Sequence, residues 1–212
     1  MKATLSFVSK TVPAIVAIAV LLLSVPAKGD IVLSVESVSG APGSTGDFDV
    51  LLTNTGSSAQ NIAAFNFELT TPNTDISFTD VTTNTTTATY IFPSSFFGPD
   101  ITTIAAGQTV EAGDVDATFD GTDVAPGATY GLGNVSFAIA PGAVNGETAE
   151  IDFVAYPSTS LSDSSGNNVD FTAESGTITV QTTSAIPEPS TAFPLAAALL
   201  FGVMLIRKRR TA

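Results

Sequence analysis

The 212-residue chain sets 20 acidic residues against seven basic ones and contains neither histidine nor cysteine. All seven basic residues, Lys2, Lys10, Lys28, Arg207, Lys208, Arg209 and Arg210, lie near the ends, so Asp30 to Ile186 carries 19 carboxylates and no cation, a charge of −19. That composition excludes a Ser–His or Cys–His nucleophile, a Schiff-base lysine, stabilisation by disulfides or salt bridges, and neutralisation of nucleic-acid phosphates.

At the N-terminus, Lys2 and Lys10 precede an uncharged run from Val12 to Val25, and Val25-Pro26-Ala27 offers small or branched residues before a cut. A basic flank, an apolar core and such a site predict a secretory signal peptide over residues 1–27, cleaved after Ala27. A retained N-terminal anchor is the alternative, although the run of 14 residues is short for one.

Residues 28–183 are predicted to form one domain. At about 150 residues it buries roughly 68–70% of its unfolded surface and is held by its core alone. Ile31, Leu33 and Val35 begin a series of two-residue alternations, followed by Phe48, Val50 and Leu52 and by Phe65, Phe67 and Leu69. It continues at Ile76 and Phe78, at Val135, Phe137 and Ile139, at Ile151 and Phe153, at Val169 and Phe171, and at Ile178 and Val180. A period of two with one apolar face marks a half-buried strand. Turn residues stand between these runs, among them Pro141-Gly142, Asn145-Gly146 and Ser165-Gly166-Asn167-Asn168. Many short strands with no helical stripe predict an all-β, two-layer sandwich.

Residues 70–109 are the hardest to read. The Thr-rich run 82–89 suits either a solvated edge strand or a loop. Pro93 and Pro99 bar a central strand from Ile91-Phe92-Pro93-Ser94-Ser95-Phe96-Phe97-Gly98-Pro99, which is expected to be a loop with its phenylalanines folded beneath it as a satellite cluster. A ligand-contacting aromatic patch is the functional alternative.

Next comes an acidic run from Glu111 to Asp123. Its carboxylates Asp114, Asp116, Asp120 and Asp123 are candidate calcium ligands, since calcium takes six to eight hard oxygens and a Gly-containing loop presents them. The spacing departs from an EF-hand, with Phe119 at the glycine position and no closing glutamate, and a solvated acidic edge is the alternative. Glu111 and Glu150 are the pair nominated for carboxylate chemistry of the glycosidase type, but nothing distinguishes them from surface acids. No enzyme activity and no cofactor other than calcium are expected.

The segment Val35-Glu36-Ser37-Val38-Ser39-Gly40 onward to Asn54, followed by Ile62 to Leu69, resembles the opening strands of a cohesin-type domain, and Leu161 to Val180 is similar to its closing hairpin. The resemblance implies a nine-stranded jelly-roll sandwich. Cellulosomal cohesins bind dockerin modules, but no motif here marks the face that does so.

The tail, residues 184–212, has three parts: Pro187-Glu188-Pro189, an apolar run from Ala192 to Ile206, and the cluster Arg207, Lys208, Arg209 and Arg210. Fifteen helical residues reach about 22 Å, short of a hydrocarbon core of about 30 Å, but the terminal cations hold the tail inside as a stop-transfer signal. This order resembles the PEP-CTERM sorting signal, which implies recognition by a membrane-embedded exosortase; a plain C-terminal transmembrane anchor is the alternative. The expected protein is exported, anchored for a time in the inner membrane, and then placed at the cell surface or in the matrix as a structural or binding module. Its expected partners are exosortase, the membrane, and extracellular polysaccharide or another surface protein, with no nucleic acid. The rival is a secreted carbohydrate-binding or carbohydrate-active protein using a surface cleft.

Overall fold

The alternating apolar residues become the inner faces of two sheets in the computed structural model, which describes residues 31–181 other than 97, 99 and 106, and only the backbone of 100–105. The predicted signal peptide, Pro-Glu-Pro motif, apolar run and basic cluster lie outside the described residues. One sheet has the order β13 (Phe171–Glu174), β1 (Ile31–Val35), β3 (Thr45–Asn54), β10 (Thr129–Ile139), β6 (Ile76–Thr82). The other runs β2 (Val38–Gly40), β14 (Gly176–Val180), β11 (Thr148–Phe153), β5 (Ala64–Thr70), β8 (Thr109–Val115), β7 (Asp100–Ala105), with β12 (Ser160–Ser162) also paired to β5. A small pair, β4 (Gln60–Ile62) and β9 (Thr122–Val124), completes the described strands. There is no helix among the described residues.

Phe48, Val50 and Leu52 of β3 face Phe65, Phe67 and Leu69 of β5 across a dry interior, where all six are buried. The Phe48 ring lies 6.2 Å from Phe78 and 6.0 Å from Phe137, and Phe65 lies 6.0 Å from Phe67 and 5.7 Å from Phe92. Such pairs add about 0.5–1.5 kcal/mol each beyond the area they bury. The ends of the domain stitch the two layers together. β1 pairs in parallel with β13, from Ile31↔Phe171 to Ser34↔Glu174, while β2 pairs in parallel with β14.

Fourteen strands are described where the family resemblance implied nine; four of them, β2, β4, β9 and β12, are three-residue pieces. Most differences from expectation fall in 70–109. Ile91 and Phe92 join the main core instead of forming a satellite cluster, because Phe92 stacks on Phe65. Beyond Thr82, which ends β6, the Thr-rich run is a loop, and a strand, β7, begins directly after Pro99.

Candidate functional site

Alternation along β3 points Asp49 away from the core, between inward Phe48 and Val50, yet Asp49 is 0% exposed. The loop after β6 covers it. Asp49 Oδ2 accepts hydrogen bonds from the backbone N–H of Thr86 at 2.6 Å and of Thr87 at 2.7 Å. Its Oδ1 accepts from Asn134 Nδ2 at 2.8 Å, and Asn134 is its cross-strand partner on β10. Glu36 adds to the same latch, accepting from the Asp49 N–H at 2.9 Å and from the Thr87 hydroxyl. Close approach of the loop depends on Gly131, where an added Cβ would lie 2.4 Å from Thr85 Cγ2. With no cation available, fixed N–H and O–H dipoles replace the water that a buried carboxylate gives up.

Farther along the same connection a second carboxylate does similar work. Val110, Ala112 and Asp114 take successive inward positions on β8, so Asp114 ends an apolar face. Asp114 Oδ2 accepts from the Tyr90 hydroxyl at 2.6 Å and from the Ser95 hydroxyl. Burial, then the bond to Asp114 and its charge, push the Tyr90 pKa far above the ordinary phenol value, so Tyr90 stays a donor. Asp49 and Asp114 therefore pin the connection between β6 and β7 at both ends.

Of the four predicted calcium ligands, the structure turns two inward. Asp114 belongs to β8 and its environment, while Asp116 closes the turn that follows, accepting from Thr118 Oγ1 at 2.6 Å and from the Gly121 N–H at 3.1 Å. Asp120 and Asp123 are exposed, and Asp123 Oδ1 accepts from Asn61 Nδ2 at 2.9 Å. Asp114 and Asp116 are thus no solvated acidic edge, because both are buried. Among the described residues, no group of three or more carboxylates stands close enough to hold a metal ion.

Glu111 and Glu150 are not brought together. Glu111 lies opposite Glu68 on β5, and Asn66 Nδ2 donates to it at 3.1 Å. Glu150 stands on β11, with β5 between. The register, Leu69↔Phe153, puts Glu150 four residues below the level of Glu111. Two strand spacings and that offset separate the two backbones by about 16 Å, so the side chains would have to reach straight toward each other to approach the roughly 5–9.5 Å of a glycosidase pair.

Phe96 is not folded beneath its loop as expected but lies exposed in an aromatic pair, and a second surface feature, a cleft, went unread in the sequence. Phe96 and Phe119 are 55% and 61% exposed and their rings lie 6.3 Å apart, with Phe119 at a φ of 60° in the turn that Asp116 closes. A phenylalanine ahead of Asp120-Gly121 was the available signal. The other feature is a cleft of about 320 Å³ between β12 and residues 168–171, lined by Tyr156, Ser160, Leu161, Asn168, Asp170 and Phe171. Its residues all fall within 156–171, but they carry no periodic spacing that announces a cleft.

Two sheets of this order, fastened by parallel pairs at both termini, form an all-β sandwich around a buried core. Neither a protein-family model nor a curated protein matches the chain. Solved structures are similar in fold. The sixth cohesin of scaffoldin B from Acetivibrio cellulolyticus, solved with a Cel5 dockerin, is 21% identical with a TM-score of 0.56, over 71% of this chain and 99% of that one. The seventh type I cohesin of ScaB from Pseudobacteroides cellulosolvens is 15% identical with a TM-score of 0.56, over 74% and 96%. A non-cellulosomal cohesin from the archaeon Archaeoglobus fulgidus is 17% identical with a TM-score of 0.54, over 73% and 94%. The chain has the cohesin fold.

Proposed function

We propose that this chain is an exported, non-catalytic binding or structural module of the cell surface or extracellular matrix, sorted through its Pro187-Glu188-Pro189 tail by an exosortase-type enzyme and associated with extracellular polysaccharide or a surface partner protein. The cohesin fold carries the reading, because the similar solved structures include a cohesin captured with a dockerin. A separated Glu111 and Glu150, and residues 31–181 without His, Cys, Lys or Arg, support a binding role. The order of motif, apolar run and basic cluster supports sorting.

Fractionation of an exosortase-bearing host tests it. The full chain should reach the surface or matrix polysaccharide fraction, and a chain lacking residues 187–212 should escape to periplasm or medium, still folded. Retention of the shortened chain in the inner membrane would make the N-terminal segment the anchor and overturn the sorting role.

A further inference from the structure

We infer that the cleft beside Tyr156 is a binding subsite for a neutral saccharide. The inference rests on the matrix location proposed above and names a ligand class for it.

The cleft sits at a seam. After β12, the chain turns back so that the Val169 N–H donates to the Leu161 carbonyl at 3.0 Å and Asn168 bridges to Ser162. Two residues later it has crossed to the other sheet, where Phe171 pairs with Ile31. Ladders fix the Ser160–Leu161 and Phe171 sides before any ligand arrives, which lowers the ordering cost of binding there, while Tyr156 stands in the loop ahead of β12. The volume, about 320 Å³, falls at the lower end of the range for small-ligand sites.

The lining is chemically mixed in a particular way. Leu161 is buried and Phe171 half-buried, giving an apolar floor, while Tyr156 stands at the rim 69% exposed. Ser160, Asn168 and Asp170 add a hydroxyl, an amide and a carboxylate. None of these three side chains, nor the Tyr156 hydroxyl, takes a hydrogen bond among the described residues, whereas Asp49, Asp114 and Asp116 are all occupied by their own chain. A sugar ring needs this set: an apolar face to lie on an aromatic side chain, and neighbouring hydroxyls that both donate to a carboxylate and accept from an amide. A wholly apolar ligand would strip water from Asn168 and Asp170 without replacing their bonds. An anionic glycan would meet Asp170 within a described segment that holds 18 carboxylates and no cation. A neutral saccharide suits every group.

Saturation-transfer NMR on the full chain in detergent micelles reads this directly, with neutral gluco-, manno- and galacto-oligosaccharides as probes and oligogalacturonate and chitosan oligomers as charged ones. At millimolar concentration at least one neutral probe should show transfer, at least fivefold weaker in Tyr156→Ala and in Asp170→Ala but retained in Phe119→Ala, with oligogalacturonate silent. Circular dichroism and melting of each variant separate lost binding from lost fold, and Tyr156→Phe, which keeps the ring, should retain the signal. No transfer from any neutral probe, transfer that survives both cleft variants, or preference for the cationic chitosan oligomers would each overturn the proposal. A chain found in the matrix but silent toward these sugars would sink the cleft alone, while one that binds them but never leaves the inner membrane would sink the export reading alone.

Discussion

The interior between the sheets and the layer beneath the β6–β7 connection both bury their key side chains, yet they are built from opposite materials. Between the sheets, phenylalanines and branched aliphatics pack against one another. Beneath the connection, Asp49, Asn134 and Asp114 meet Thr86, Thr87, Tyr90 and Ser95 through hydrogen bonds. No buried side-chain nitrogen or oxygen among the described residues lacks a partner. The contrast shows how a segment without a single cation buries carboxylates: it surrounds them with N–H and O–H donors instead of opposite charge.

The apolar layer should fail hardest. Phe67→Ala removes a fully buried ring from the inner face of β5, and urea unfolding should report a loss of about 3–5 kcal/mol. A loss under about 1 kcal/mol would mean that the site collapses around the deletion and that the interior is not close-packed there.

The polar layer should yield next. Asp49→Ala leaves the Thr86 and Thr87 amides and the Asn134 side chain without their shared acceptor. At about 1–3 kcal/mol for each donor left unsatisfied, reduced where water reaches the loop, the expected loss is about 2–4 kcal/mol. Hydrogen exchange at residues 86 and 87 should accelerate in the variant. Unchanged exchange there would show that the loop stays down without its latch.

Exposed carboxylates belong to neither layer, and their effect should be smallest. Eighteen acids with no cation from 31 to 181 repel one another, so NaCl should raise the melting temperature by screening. CaCl₂ at matched ionic strength should do no more, because Asp114 and Asp116 already serve their own chain. An extra calcium increment abolished by Asp116→Asn with Asp120→Asn would restore the acidic run as a metal site.

What was legible in the sequence follows from range. Phe65, Phe67 and Leu69 announce their strand because the period is local and its consequence, burial of one face, is local too. Val110, Ala112 and Asp114 carry the same period, but a charge at the third position disguised a strand as an acidic run; only Tyr90 and Ser95, at a distance, explain why a carboxylate points inward. Asp49 was readable as facing outward and unreadable as buried, since its cover arrives from residues 86 and 87. The cleft residues Tyr156, Ser160, Asn168 and Asp170 are close in sequence, but only the turn that carries the chain from β12 to β13 of the other sheet sets them around one hollow. The cohesin fold, by contrast, was legible at the two ends of the domain, where turns and core positions lie close in sequence.

The parallel pairing of β1 with β13 and of β2 with β14 has a mechanical meaning. If the domain is tethered at one terminus and pulled at the other, the strand nearest each end is drawn along its own axis in opposite directions. Hydrogen bonds in a parallel ladder then bear the load side by side and must break together, whereas an antiparallel hairpin pulled at its open end would unzip one bond at a time. Tension between the termini thus loads this sandwich in shear, along the direction in which its ladders resist best.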